Sequence, residues 1–146
     1  MDQTITEPAA VAARELRVVF GRLRRRLREV SGDSELTPSQ ASVLSRLDKD
    51  GAATASALAT AERVRPQSVA ATLAALEARG LVRRDPDPHD GRRQLVSLSN
   101  EGRARLAGDR LAREEWLARA LQDGYTDAER RTILDALVLL DRLTQP

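Results

Sequence analysis

Between Gly80 and Ser99 this chain stops repeating with the period of a helix and starts repeating with that of a strand. Upstream, Val69, Leu73 and Leu76 recur at four- and three-residue spacing, the buried stripe of a helix opened by Pro66 and stopped by Gly80. Downstream, Leu81-Val82-Arg83-Arg84 and Gln94-Leu95-Val96-Ser97-Leu98 read as two strands. The loop at 85–92 between them holds two prolines and Asp90-Gly91. It cannot be helical, and it makes a hairpin tip longer than two residues. Before this unit, Thr54 can cap a short helix reaching about Ala61, with Leu58 facing inward. Short helix, turn, longer helix and basic-tipped hairpin, in that order, suit a winged helix-turn-helix.

The rest of the chain reads as helix. Residues 8–30 carry Leu16, Val19, Phe20, Leu23, Leu27 and Val30 at helical spacing, with Ser31-Gly32-Asp33 ending the run. The other face carries Arg14, Arg17, Arg22, Arg24, Arg25, Arg26 and Arg28. Such a face is most often solvated, and it also suits a phosphate contact or the lining of an anion site. Thr37, Pro38 and Gln40 form a capping box that opens a helix through Val43, Leu44 and Leu47 to about Asp48, with Asp50-Gly51 breaking it. Ser99 can cap a helix that contains Leu106, Leu111, Trp116, Leu117 and Leu121, reaches roughly Gln122 and is ended by Asp123-Gly124. Thr126 and Glu129 make a second capping box before Ile133, Leu134, Leu137, Leu140 and Leu143.

The predicted fold is therefore mainly α with a small β-hairpin. A winged helix-turn-helix is expected at 36–99, with dimerisation helices at 1–35 and 100–146. The terminal apolar stripes either cover the middle domain of their own chain or exchange with a symmetry mate. Exchange suits DNA better, because two recognition helices one helical turn apart read a palindrome.

Composition removes other classes. Hydrophobic residues make up 41% and aromatic residues 2%, so the core must be built from Leu, Val and Ala. There is no cysteine, which excludes disulfides, thiol redox sensing and Cys-ligated zinc. His89 is the single histidine, and no metal ligand set is expected around it. Asp33, Glu35, Asp48, Asp50 and Glu62 are scattered, with no spacing of a catalytic dyad or calcium loop. No Gly-rich phosphate loop or nucleophile-base pattern is visible, so neither enzyme chemistry nor a cofactor is expected. No apolar run approaches the ~20 residues of a membrane span. The N-terminus lacks the basic and apolar regions of a signal peptide, so a cytoplasmic location with no membrane partner is expected.

The formal net charge is only +2, but Lys49 is the sole lysine, so 23 of the 24 basic residues are arginine. Arginine forks suit phosphate and guanine edges, although a GC-rich coding bias gives the same imbalance. A recognition helix needs polar, unobstructed first turns. Arg65, Gln67, Ser68 and Thr72 occupy that end here, and Ala70 and Ala71 permit close approach to the groove. In the loop, Arg92 and Arg93 are candidates for a narrow minor groove. Asp87 and Asp90 would repel DNA if free, and are expected to structure the wing by bonding its backbone or an arginine. The competing reading is a winged-helix protein-interaction module without sequence-specific DNA binding. Such a wing would be expected to expose apolar residues rather than Arg92.

In its segments Leu76-Glu77 through Leu81-Val82, Asp87 through Asp90-Gly91-Arg92, and Leu98-Ser99 through Gly102, the chain resembles the MarR family of bacterial transcription regulators. The resemblance covers nearly the whole chain. It implies a triangular homodimer whose termini form the interface, with double-stranded DNA as partner. It also implies repression, less often activation, of nearby genes and release by a small, often phenolic or anionic, effector. The implied ligand region lies between the dimer layer and the DNA-binding domain. Phe20 and Trp116, each with an arginine one turn earlier (Arg17 and Arg113), are its candidate aromatic wall and anion contacts. The chain departs from the family at Ala70 and Ala71, where a polar residue and an arginine are common. It also lacks the cysteine of the redox-sensing branch.

Overall fold

The computed structural model describes residues 5–32 and 35–145. The helical stop assigned to Asp33 and the extreme ends of the two expected dimerisation segments lie outside the described residues.

Helices begin here at side-chain caps or at a proline in the first turn. In α1 (Glu7–Val30), Pro8 occupies the first turn, and Ser31 and Gly32 turn the chain at its end. α2 (Pro38–Asp50) starts with the Thr37–Gln40 capping box, in which the Gln40 amide donates to Thr37 Oγ1 at 3.2 Å. α3 (Ala55–Glu62) is capped by Thr54, and α4 (Pro66–Ala78) opens on its proline. α5 (Asn100–Gly124) is capped by Ser99, and α6 (Asp127–Asp141) by the Thr126–Glu129 capping box. Each such cap contributes about 1 kcal/mol of helix stability. The backbone amide of Thr126 holds the Glu129 carboxyl below its ordinary pKa, with the Thr126 hydroxyl adding to the effect. A short 3₁₀ turn, Arg142–Thr144, follows α6.

The end of α4 explains the change of period. Gly80, at φ +72°, donates to Glu77 O at 2.9 Å, and Leu81 N–H donates to Leu76 O at 3.0 Å. This Schellman pair needs a residue without a β-carbon at the left-handed position. It sends Leu81 straight into strand β2 (Val82–Pro86), which returns as β3 (Gln94–Leu98). The register pairs Val82 with Leu98, Arg84 with Val96 and Pro86 with Gln94. A two-residue strand, β1 (Ala53–Thr54), adds to the far side of β3, so the sheet has three strands in the order β1-β3-β2. The expected hairpin is thus part of a larger sheet; two residues are too few to show a strand period. Pro86 is tolerated because β2 is an edge.

Among the described residues, every buried hydrophobic core residue falls between Leu36 and Leu98. Leu44, Leu58, Leu73 and Leu76 are fully buried, joined by Val43, Val69 and Val96. The terminal helices differ. α1 and α6 bury no residue, and α5 buries only Gly102 and Asp109. α1 and α2 both pack on α5. α5 extends through Gly124, past the expected stop near Gln122, and the chain turns at Tyr125. α6 makes its only extended contact among the described residues with the 3₁₀ turn that follows it.

Candidate nucleic-acid interface

The turn between α3 and α4 sets the direction of the exposed helix. Arg63 adopts φ +56°, the only positive φ outside glycine among the described residues. A residue with a β-carbon rarely takes that conformation. It is held by bonds from Arg63 N–H to Thr60 O at 3.2 Å and from Val64 N–H to Ala59 O at 3.1 Å. A side-chain clasp lies beside it. Glu62 accepts from Ser42 Oγ at 2.6 Å and from Arg46 Nε at 2.6 Å. The Ser42 hydrogen bond, then that of Arg46, hold the Glu62 carboxyl below its ordinary pKa.

α4 is split into two faces. Val69, Leu73 and Leu76 anchor it to the core, while Gln67, Ser68, Ala70, Ala71 and Ala74 are exposed. Arg65, exposed at the N-cap, makes no capping bond with its side chain. Thr72 is half-buried and donates its hydroxyl to Ser68 O at 3.0 Å. Its one donor is committed to its own helix, which leaves its lone pairs and methyl for a ligand.

The wing tip is built by its aspartates. Asp87 Oδ1 accepts from His89 N–H at 2.9 Å, and Asp90 Oδ1 from Arg92 N–H at 3.1 Å. Two backbone bonds close the loop, from Asp87 N–H to Arg93 O and from Arg93 N–H to Asp90 O, each 2.9 Å. Asp90 also lies 3.4 Å from Arg92 Nε and 3.6 Å from Arg93 Nε. Such exposed pairs are weak and exchange readily. The Arg92 side chain is 94% exposed and that of Arg93 67%. At the wing base, Arg84 Nε donates to Glu77 Oε2 at 3.0 Å, tying β2 to α4. An open cleft of about 750 Å³ separates the first turn of α3 from Arg84 and residues 91–94. The end of α4 and the base of the wing are therefore tied directly by a side-chain bond.

A second cavity, of about 440 Å³, lies between α1, α2 and α5. The structure brings Phe20 and Arg113 together there, with Leu23, Leu27, Arg24, Arg28, Ser42 and Ser45. Arg113 is anchored by donating to Ser31 Oγ at 3.0 and 3.2 Å. The other two residues expected with them lie elsewhere. Trp116 sits under the Arg26 guanidinium, 5.4 Å from ring centroid to charge. Arg17 does not line the cavity; it lines a neighbouring cleft on α1 with Arg22 and Arg25, which Arg24 and Arg28 also border. Sequence spacing from Phe20 does point to Arg24 and Arg28, one and two turns on, but the run of arginines hides which of them face inward. Ser42 and Ser45 carried no signal of their own.

The MarR family profile matches residues 36–93, the segment that contains α2 to the wing. The chain is 41% identical over 122 residues to an uncharacterised HTH-type transcriptional regulator of Mycobacterium leprae, covering 84% of each protein. It superposes on the crystal structure of a transcriptional regulator from Pseudomonas aeruginosa with a TM-score of 0.85 and 41% identity, over 97% of this chain and 99% of that one. A Staphylococcus aureus MepR mutant bound to an oligodeoxyribonucleotide shares the fold, at a TM-score of 0.71 and 18% identity over 91% of this chain and 97% of that one. None of the described helices is long and apolar enough to cross a membrane. The chain belongs to the MarR family of winged helix-turn-helix transcription regulators.

Proposed function

We propose that this DNA-binding regulator acts in the cytoplasm as a homodimeric repressor of a palindromic operator. Arg65, Gln67, Ser68 and Thr72 face the major groove, and Arg92 with Arg93 reaches the flanking minor groove. The observation that carries this reading is the division of α4. Its apolar side is entirely core, and its polar start stands exposed beside an arginine-tipped wing.

The dimer reading rests on α6. Leu134, Leu137, Val138, Leu139 and Leu143 are each between 51% and 73% exposed in the single chain. All of them but Leu139 border, with Phe20 and Leu140, a largely apolar groove of about 920 Å³. Apolar patches of this kind mark surfaces that another chain covers, and the same segment of a symmetry mate is self-complementary to it.

The cavity between α1, α2 and α5 suits a small aromatic or anionic effector. Phe20 and two leucines supply an apolar wall, and Arg24, Arg28 and Arg113 line it as well. Occupation of this cavity releases the operator. Selection of bound sequences from random DNA tests the core of the reading. Enrichment of an inverted repeat is the expected result; absence of any enriched sequence contradicts it.

A further inference from the structure

The cavity and the helix-turn-helix share one side chain. Ser42 lines the cavity, and its hydroxyl donates to Glu62 Oε2 at 2.6 Å. Glu62 is the last residue of α3 and directly precedes Arg63, whose left-handed backbone aims α4. Arg46, one turn after Ser42 on α2, grips the other Glu62 oxygen at 2.6 Å and reaches Ala61 O at 3.5 Å. The Glu62 side chain is only 13% exposed, so water cannot readily replace a lost donor.

We infer that Ser42 is the residue through which a ligand in the α1–α2–α5 cavity reaches the α3–α4 turn. A serine hydroxyl has one proton to donate. It cannot serve Glu62 and an acceptor in the cavity together. The arginines of the cavity favour an acceptor-rich anion. Such an anion takes the Ser42 hydrogen bond, Glu62 keeps Arg46 alone, and the turn that orients α4 loses half of its clasp. Ser42 is thus a positioning residue for DNA binding and the point where ligand and DNA compete. This inference rests on the effector reading of the cavity.

The test uses the full-length protein, its selected operator and benzoate as the probe anion. Calorimetry reads benzoate binding, and fluorescence anisotropy reads operator affinity with and without saturating benzoate. Wild type is expected to bind benzoate and to lose operator affinity about tenfold, within the usual range of such couplings. Ser42→Ala is expected to bind benzoate still, to hold the operator more weakly without it, and to show no further loss when it is added. Ser42→Thr keeps the hydroxyl and is expected to keep the release. Undiminished release in Ser42→Ala overturns the relay while leaving the cavity reading intact. So does a Ser42→Thr protein that behaves like Ser42→Ala, because the hydroxyl then carries nothing. A Ser42→Ala protein that holds the operator as tightly as wild type in the absence of benzoate also overturns the relay, whatever its benzoate binding, because the bond to Glu62 then orients nothing. A wild type that does not bind benzoate removes the cavity reading and the relay with it.

Discussion

Gly102 in the first turn of α5 lies so close to the backbone of Leu81 that a β-carbon there would stand 2.1 Å from the Leu81 carbonyl oxygen. The same carbonyl accepts the Ser99 amide at 3.1 Å, and the Ser99 hydroxyl donates to Gly80 O while accepting from the Gly102 N–H at 3.0 Å to cap α5. The start of α5 is thereby locked to the end of α4. This contact gives a physical reason for the spacing of Leu98, Ser99 and Gly102. The strand ends, the helix is capped, and the helix must pass over bare backbone.

Gly102→Ala should therefore destabilise the fold even though alanine is the better helix former. The contact is with backbone, which cannot swing aside, so the cost is expected to reach or exceed the ~1–3 kcal/mol typical of overpacking. The urea midpoint measures it. A midpoint at or above that of the unsubstituted protein would contradict the contact.

Arg92→Ala tests the wing. Its side chain is almost wholly exposed, so the fold gains little from it. Operator affinity is expected to fall by about 1–3 kcal/mol, the scale of one good DNA contact, with circular dichroism unchanged. Equal affinity in an anisotropy titration would remove the wing from the interface.

Gln67→Ala tests base readout. Gln67 stands exposed in the first turn of α4, and glutamine pairs bidentately with adenine. The substitution is expected to relax base preference at one symmetric pair of operator positions. A uniform loss of affinity with the preference profile intact would assign Gln67 to the phosphate backbone instead.

Glu62→Gln tests the clasp through pH. The native Glu62 carboxyl is held below its ordinary value of 4.5 by Ser42 and Arg46. A carboxyl depressed in the folded state adds stability that is fully present above its unfolded pKa. That stability is lost as pH falls through the lower, folded one. The stability gap between the wild type and Glu62→Gln should be constant near neutrality and close in acid, below about pH 4. A gap that is flat with pH, measured by denaturant unfolding, would mean that the charge of Glu62 contributes nothing.

Much of this architecture is legible one helix at a time. Thr37, Thr54, Ser99 and Thr126 each cap the helix that their sequence context announces, and Gly80 turns the chain where the period changes. These features are local, and local chemistry decides them. What escaped is non-local or too short. β1 has two residues and exists only because β3 is beside it. The Ser42–Glu62 bond spans 20 positions in the sequence. Trp116 pairs with Arg26 rather than with the arginine one turn before it, because the packing of α5 on α1 chooses the partner. For the same reason Arg24 and Arg28, not Arg17, join Phe20 at the cavity.

The most direct measurement compares the selected operator with a single half-site of it, in one anisotropy titration at fixed salt. Two winged domains joined through α6 should engage the full palindrome together. The palindrome is then expected to bind at least about 100-fold more tightly than the half-site, the low end of the gain from linking two binding modules. Equal affinity for the two DNAs would mean that one winged domain binds alone, and would contradict the dimeric operator reading.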